Sequence, residues 1–166
     1  MSENGNDLIP AAADDILRIR IFGEPVLRRS TKSVESLDQE IMDLIRKMLQ
    51  TMYQAPGVGL AAPQVGVSFK LCVLDVGEGS LTLINPEIVE FSDDTFVFEE
   101  GCLSFPEITA EVIRPAAVRL KADSLLSNGK VLEDGPFEKD FDGLLARVTQ
   151  HEIDHLNGKL FVDHLS

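Results

Sequence analysis

The stretch that most constrains this chain is His151-Glu152-Ile153-Asp154-His155, an H-E-x-x-H element. On a helix, residues four apart lie one above the other, so His151 and His155 present both imidazoles to one side. Two such nitrogens suit one metal ion, and Glu152 beside them suits a general base acting on water. The flanking residues predict the helix independently. Asp142 stands as an N-cap, Leu144, Val148, His151 and His155 fall in one stripe, and Asn157-Gly158 reads as a stop.

Two ligands leave a metal site incomplete. Zincin proteases take the third from downstream, as a His six residues after the second or as a later Glu. Here Phe161 holds the first of those positions and no Glu follows His155, leaving Asp163 and His164 by a predicted short strand over 159–163. The third ligand is therefore expected upstream. With His164 the only other histidine, a soft ligand has to be Cys72 or Cys102. Cys72 lies in the apolar run from Phe69 to Asp75, which reads as a buried strand where Cys is a small hydrophobe. Cys102 follows Gly101 among acids, and a glycine lets backbone come close to a ligand. Cys102 is the expected ligand. Cys102, His151 and His155 would hold a divalent metal and leave a fourth position to water, the catalytic arrangement rather than the closed structural one.

Three other positions complete the expected chemistry. Glu152 would take the water's proton and return it to the leaving amine. The Gln64 amide and the backbone N–H of Leu103, next to Cys102, are the candidates for steadying an oxyanion. Gly57-Val58-Gly59-Leu60-Ala61-Ala62 matches a dinucleotide fingerprint, but a predicted helix precedes it and Pro63 follows, the reverse of the strand-then-helix setting required. It is read as a loop whose glycines let the backbone approach a substrate and present Gln64.

The rest of the chain predicts one domain of α+β class, with antiparallel strands around a buried central helix that carries the H-E-x-x-H element. Residues 1–15 read as a flexible acidic tail, without the basic start or apolar core of a targeting peptide, and 16–166 as the catalytic domain. Ile16–Phe22 alternates and predicts a strand. Ser36–Gln54 predicts a helix, with Ser36 and Gln39 as a capping box and Leu37, Ile41, Leu44, Ile45, Met48, Leu49 and Met52 as its apolar stripe. Strands are predicted over 69–76, 81–85, 95–98, 108–113, 118–122 and 131–133, with Asn128-Gly129 closing a hairpin. The net charge of −13 disfavours nonspecific binding to nucleic acid or anionic membrane. No apolar run is long enough to span a bilayer, and two cysteines, one wanted for metal, point to a reducing, cytoplasmic setting.

Gly57-Val58-Gly59-Leu60-Ala61-Ala62-Pro63-Gln64, Glu100-Gly101-Cys102-Leu103-Ser104 and His151–His155 together resemble, in order, the three motifs of the peptide deformylases. The resemblance runs from about Ile16 to Leu165. It implies hydrolysis of the formyl group from formyl-methionyl nascent peptides, with release of formate. It assigns the roles above to Gly59, Gln64, Cys102, Leu103, His151, Glu152 and His155. It also implies Fe²⁺ as the natural ion, although the donor set itself accepts Zn²⁺, Ni²⁺ or Co²⁺. Val148 and Leu144, one and two turns before His151, would wall an apolar pocket for the methionine side chain. Glu100 would either orient a ligand histidine or pair with an arginine. Many relatives continue into a basic C-terminal helix that docks on the ribosome, and this sequence has no such segment after His155, so ribosome association is expected to be weak. A metal-binding module without activity and a zincin-like endopeptidase are the competing readings. Retention of Glu152 and Gln64 opposes the first, and the lack of a downstream ligand opposes the second.

Overall fold

The computed structural model describes residues 15–165; the acidic tail expected over 1–15 therefore lies, Asp15 apart, outside the described residues. In chain order the elements are α1 (Gln39–Gln54), β1 (Gly59–Ala61), β2 (Leu71–Leu74), β3 (Leu81–Ile84), β4 (Glu87–Phe91), β5 (Thr95–Cys102), β6 (Phe105–Pro115), β7 (Ala117–Ser127), β8 (Lys130–Asp142) and α2 (Gly143–Leu156). The class is α+β with antiparallel sheets. Six strands form one sheet, and β5 with β6 forms a two-stranded sheet of its own.

The larger sheet is organised on β7. Along one edge β7 pairs with β8, from Ala117 opposite Asp142 to Ser127 opposite Lys130. Along the other edge it holds two shorter strands end to end, β3 beside Ser124–Ser127 and β4 beside Val118–Lys121. The β7–β8 turn is made by Asn128 and Gly129, both at positive φ (51° and 81°), which matches the twist of the flanking strands. β2 and β1 extend the sheet from β3.

Alternation along β2 sends its side chains to opposite faces. Leu71 and Val73 join a core with Ile41, Ile45, Met48 and Met52 of α1. Cys72 and Leu74 join a second core with Ala146, Val148, Ile153 and Leu156 of α2. Each fully buried aliphatic side chain of this kind contributes roughly 1.5–3 kcal/mol. In α2, ten of fourteen residues are buried, among them Arg147, His151, Glu152 and His155.

Four expectations about elements are corrected. α1 starts at Gln39 rather than Ser36, because Asp38 is the N-cap and its carboxylate accepts from the Ile41 N–H at 3.0 Å. Ile16–Phe22 makes no ladder. Its N–H groups go one each to separate partners: Leu17 to Thr51 Oγ1 (2.9 Å), Arg20 to the Gln64 carbonyl (2.7 Å) and Phe22 to the Ser104 carbonyl (2.9 Å). The expected loop at 57–62 contains β1, after which a 3-10 turn, Ala62–Val65, carries Gln64. Residues 159–163 are no strand: Phe161–His164 is a 3-10 turn, because Asp163 accepts from the Leu160 N–H and closes the turn. Asp142 does occupy the N-cap position of α2, though its side chain makes no capping bond.

Candidate active site

β5 ends on Cys102, and α2 carries the two histidines of the H-E-x-x-H element. Cys102 Sγ lies 3.3 Å from His155 Nε2, and the possible ligand atoms of Cys102, His151 and His155 are all within 4.8 Å of one another. One thiol and two imidazoles at that spacing fit a divalent cation of borderline softness. Burial, and then His151 and Arg114, hold His155 well below the ordinary histidine range, so it is neutral and has a lone pair to donate. Cys72 takes no part: it is fully buried in the second core, and burial followed by the Glu152 charge raises its thiol well above its ordinary range. His164 is likewise elsewhere, with Nε2 2.8 Å from Asp154.

The two roles weighed for Glu100 hold at once. Its carboxylate lies 3.0 Å from His151 Nδ1, which turns Nε2 of that ring toward Cys102. It also accepts from Arg114 Nε (2.5 Å) and Nη2 (3.0 Å), and from Arg147 Nη1. Burial opposes ionisation of Glu100, yet His151 and Arg114 outweigh it and hold the carboxyl at about 2. Burial would depress His151, but Cys102 and Glu100 prevail and lift it to about 10. A ligating imidazole is neutral, so metal binding at His151 must displace that proton.

Glu152 lies against Gly59 of β1. It is 3% exposed, and burial pushes its carboxyl up to about 7 against the pull of His151 and Arg114. Gly59 is what admits it: a Cβ there would meet Glu152 Oε2 at 2.5 Å and Cδ at 2.9 Å. Gln64 is fixed from both ends. Its Oε1 accepts from the Ala61 N–H (2.9 Å), and its Nε2 donates to Ser104 Oγ (3.1 Å) and to Cys102 Sγ (3.5 Å). Leu103 follows Cys102 in the β5–β6 turn, with its side chain over Gly57.

These groups open onto a cleft of about 400 Å³ whose walls include Val58, Phe98, Ile108, Leu144 and Val148. Val148 is 6% exposed and Leu144 46%, so one lies inside the wall and the other on its rim.

A family model described as polypeptide deformylase matches residues 16–166. The chain belongs to the polypeptide deformylase family. A peptide deformylase of Thermotoga maritima is 48% identical over 149 residues, covering 90% of this chain and 87% of the relative. One from Agrobacterium fabrum is 48% identical over 152 residues, covering 88% and 85%. Among solved structures, the Thermotoga maritima peptide deformylase superposes with a TM-score of 0.83 at 46% identity, covering 91% of this chain and 98% of that one. The Synechococcus elongatus peptide deformylase, solved in complex with actinonin, gives 0.84 at 43% identity, covering 93% and 81%. The deformylases are metal-dependent hydrolases that act on formylated peptides, and this chain carries a matching donor group.

Three residues that support the site were not singled out in the sequence. Ser104 aims Gln64, while Arg114 and Arg147 clamp Glu100. Arg147 alone left a trace: it lies four residues before His151, a charge in a stretch of α2 that is otherwise mostly apolar.

Proposed function

We propose that this chain removes the formyl group from formyl-methionyl nascent peptides by hydrolysis, releasing formate, with residues 16–166 forming one catalytic domain. The observation that carries the reading is the convergence of Cys102, His151 and His155 beside a buried Glu152, with Cys102, His151 and Glu152 lining an apolar cleft. A divalent cation held by those three side chains would supply Lewis acidity, bringing a water toward ionisation near neutral pH. Fe²⁺ is the ion assigned; Zn²⁺, Ni²⁺ and Co²⁺ suit the same donors.

Glu152 accepts the water's proton and delivers it to the leaving amine. The Leu103 N–H and the Gln64 amide steady the oxyanion. Sulfur is a weak acceptor, so the Gln64 N–H aimed at Cys102 is the one with least to lose by sharing its hydrogen with an oxyanion. Gly59 gives the substrate backbone and Glu152 room to approach each other. Val148 and Leu144 face the methionine side chain. α2 is the central element of this arrangement, and the burial of most of its residues supports that role. No helix among the described residues is long and apolar enough to cross a membrane, and the acidic surface opposes direct nucleic-acid binding or tight ribosome association in the cytoplasm.

Glu152→Gln tests the reading. The carboxylate is not a ligand, so the variant should keep its metal. It should lose about 10²–10⁴ in kcat on formyl-Met-Ala, the usual worth of a positioned acid–base. Turnover within threefold of the parent, with metal retained, would sink the mechanism. Cleavage of an internal peptide in preference to the formyl substrate would favour the endopeptidase reading.

A further inference from the structure

Cys102 belongs to the β5–β6 hairpin, whereas His151 and His155 belong to α2, and the hairpin is a sheet apart from the one that α2 packs on. The distance between thiol and imidazoles therefore depends on what joins hairpin to helix. Arg147, 2% exposed, reaches from α2 to both strands: Nη2 donates to the Phe96 carbonyl of β5 at 2.8 Å, and Nη1 to the Val112 carbonyl of β6 at 3.1 Å. The same Nη1 meets Glu100, the carboxylate that orients His151. Its guanidinium lies over the Phe96 ring, 4.5 Å from the centroid, with Phe98 at 5.6 Å. Arg114 adds a second tie, from β6 to α2, through Nη1 to Asp154 at 3.0 Å, and Asp154 also faces His164. Two guanidiniums thus serve two carboxylates: Arg114 does so from β6, and Arg147 does so from α2 while also holding a backbone carbonyl of each hairpin strand.

We propose that Arg147 is a positioning residue for the metal site, setting the spacing of Cys102 from the histidines and, through Glu100, the orientation of His151. The proposal rests on the Cys102-His151-His155 ligand set. A planar fork is needed to reach two carbonyls and a carboxylate at once; lysine offers one point charge in its place. Residues that support ligands in this way are typically worth 10–100-fold in metal affinity.

The test measures Zn²⁺ affinity by competition with a chromophoric chelator, alongside thermal melts, for Arg147→Met, Arg147→Lys and Cys102→Ala. Arg147→Met is expected to weaken Zn²⁺ binding about 10–100-fold. Arg147→Lys should recover part of that loss, because it restores a charge to Glu100 without the hairpin clasp. A lower melting temperature with Zn²⁺ affinity within twofold of the parent would make Arg147 merely structural and overturn the proposal. Should Arg147→Met fail to fold, Arg147→Lys and Phe96→Leu decide: weakened Zn²⁺ binding in either supports the role, and parental affinity in both refutes it. Parental affinity in Cys102→Ala would refute the ligand set itself. Loss there, with none in the Arg147 variants, would refute only the positioning role.

Discussion

Gly59→Ala isolates the contact between β1 and Glu152, the proposed general base. Gly59 is not at positive φ, so alanine brings no backbone strain and the whole effect comes from one methyl group. That methyl would sit 2.5 Å from Glu152 Oε2, 2.9 Å from Cδ and 3.0 Å from Cγ, against an ordinary contact of about 3.5 Å. Something has to retreat by about 1 Å. β1 is held in register by Leu74 opposite Gly59, and the Val58 carbonyl is tied to the Asp75 N–H at 2.9 Å, so the carboxylate moves. A displacement of about 1 Å at a reacting group costs on the order of 10²-fold in rate, equivalent to about 2.7 kcal/mol. Overpacking adds roughly 1–3 kcal/mol of destabilisation. The assay is kcat on formyl-Met-Ala with metal content and a thermal melt measured on the same sample. The expected result is a loss near 10²-fold, with stoichiometric metal. Gly57→Ala is the control, because its methyl would meet only the movable end of Leu103, at 2.8 Å, and should cost less than about tenfold. Gly59→Ala at parental kcat would refute the reasoning, as would loss of metal in place of loss of rate.

Val148→Asp puts an unpaired carboxylate at a position 6% exposed in the cleft wall. kcat/KM for formyl-methionyl peptides should fall by more than about tenfold with metal content normal; an unchanged value would return Val148 to plain core. Asp163 gives a pH dependence. Its fork with Arg28 (2.6 and 3.1 Å) and then the Leu160 N–H, against burial, depress its pKa below the ordinary 3.8. A group depressed on folding stabilises above its unfolded pKa, and that contribution disappears as pH falls from 3.8 through the folded value. The difference in melting temperature between the parent and Asp163→Asn should therefore be constant near neutrality and shrink below about pH 4. A difference that stays level to pH 3 would remove the ion pair from the account.

What could be read in the sequence was local. The four-residue spacing of His151 and His155, the apolar stripe of α1 and the Asn128-Gly129 turn each act within a few residues of themselves. The contrast between Cys72 and Cys102 was also visible, because an apolar run and a glycine-led acidic run differ in composition. β4 was not: Glu87–Phe91 has one partly buried residue among exposed ones, so no alternation marks it, and its pairing with Val118–Lys121 comes from β7. Ile16–Phe22 misled in the opposite sense, since it alternates like a strand but finds single acceptors on three different elements. The joint role of Arg114 and Arg147 was hidden because their contacts are distant in sequence. Their shared partner, Glu100, is fourteen residues from one and forty-seven from the other, and no short window contains the cluster.

The joining of Cys102 to His155 across fifty-three residues has a consequence during synthesis. Chains emerge from the N-terminus at about 5–20 residues per second, so the thiol is made several seconds before the second imidazole. Over that interval β7 and β8 can close their hairpin across two residues, while Cys102 has no histidine with which to capture an ion. A sulfur left unliganded is open to the oxidation that a thiolate held by a redox-inert ion such as Zn²⁺ resists. Oxidant stress should therefore damage the growing polypeptide more than the finished, Zn²⁺-loaded protein. Pulse-labelled chains made under peroxide should carry more oxidised Cys102 than folded, Zn²⁺-loaded protein given the same dose.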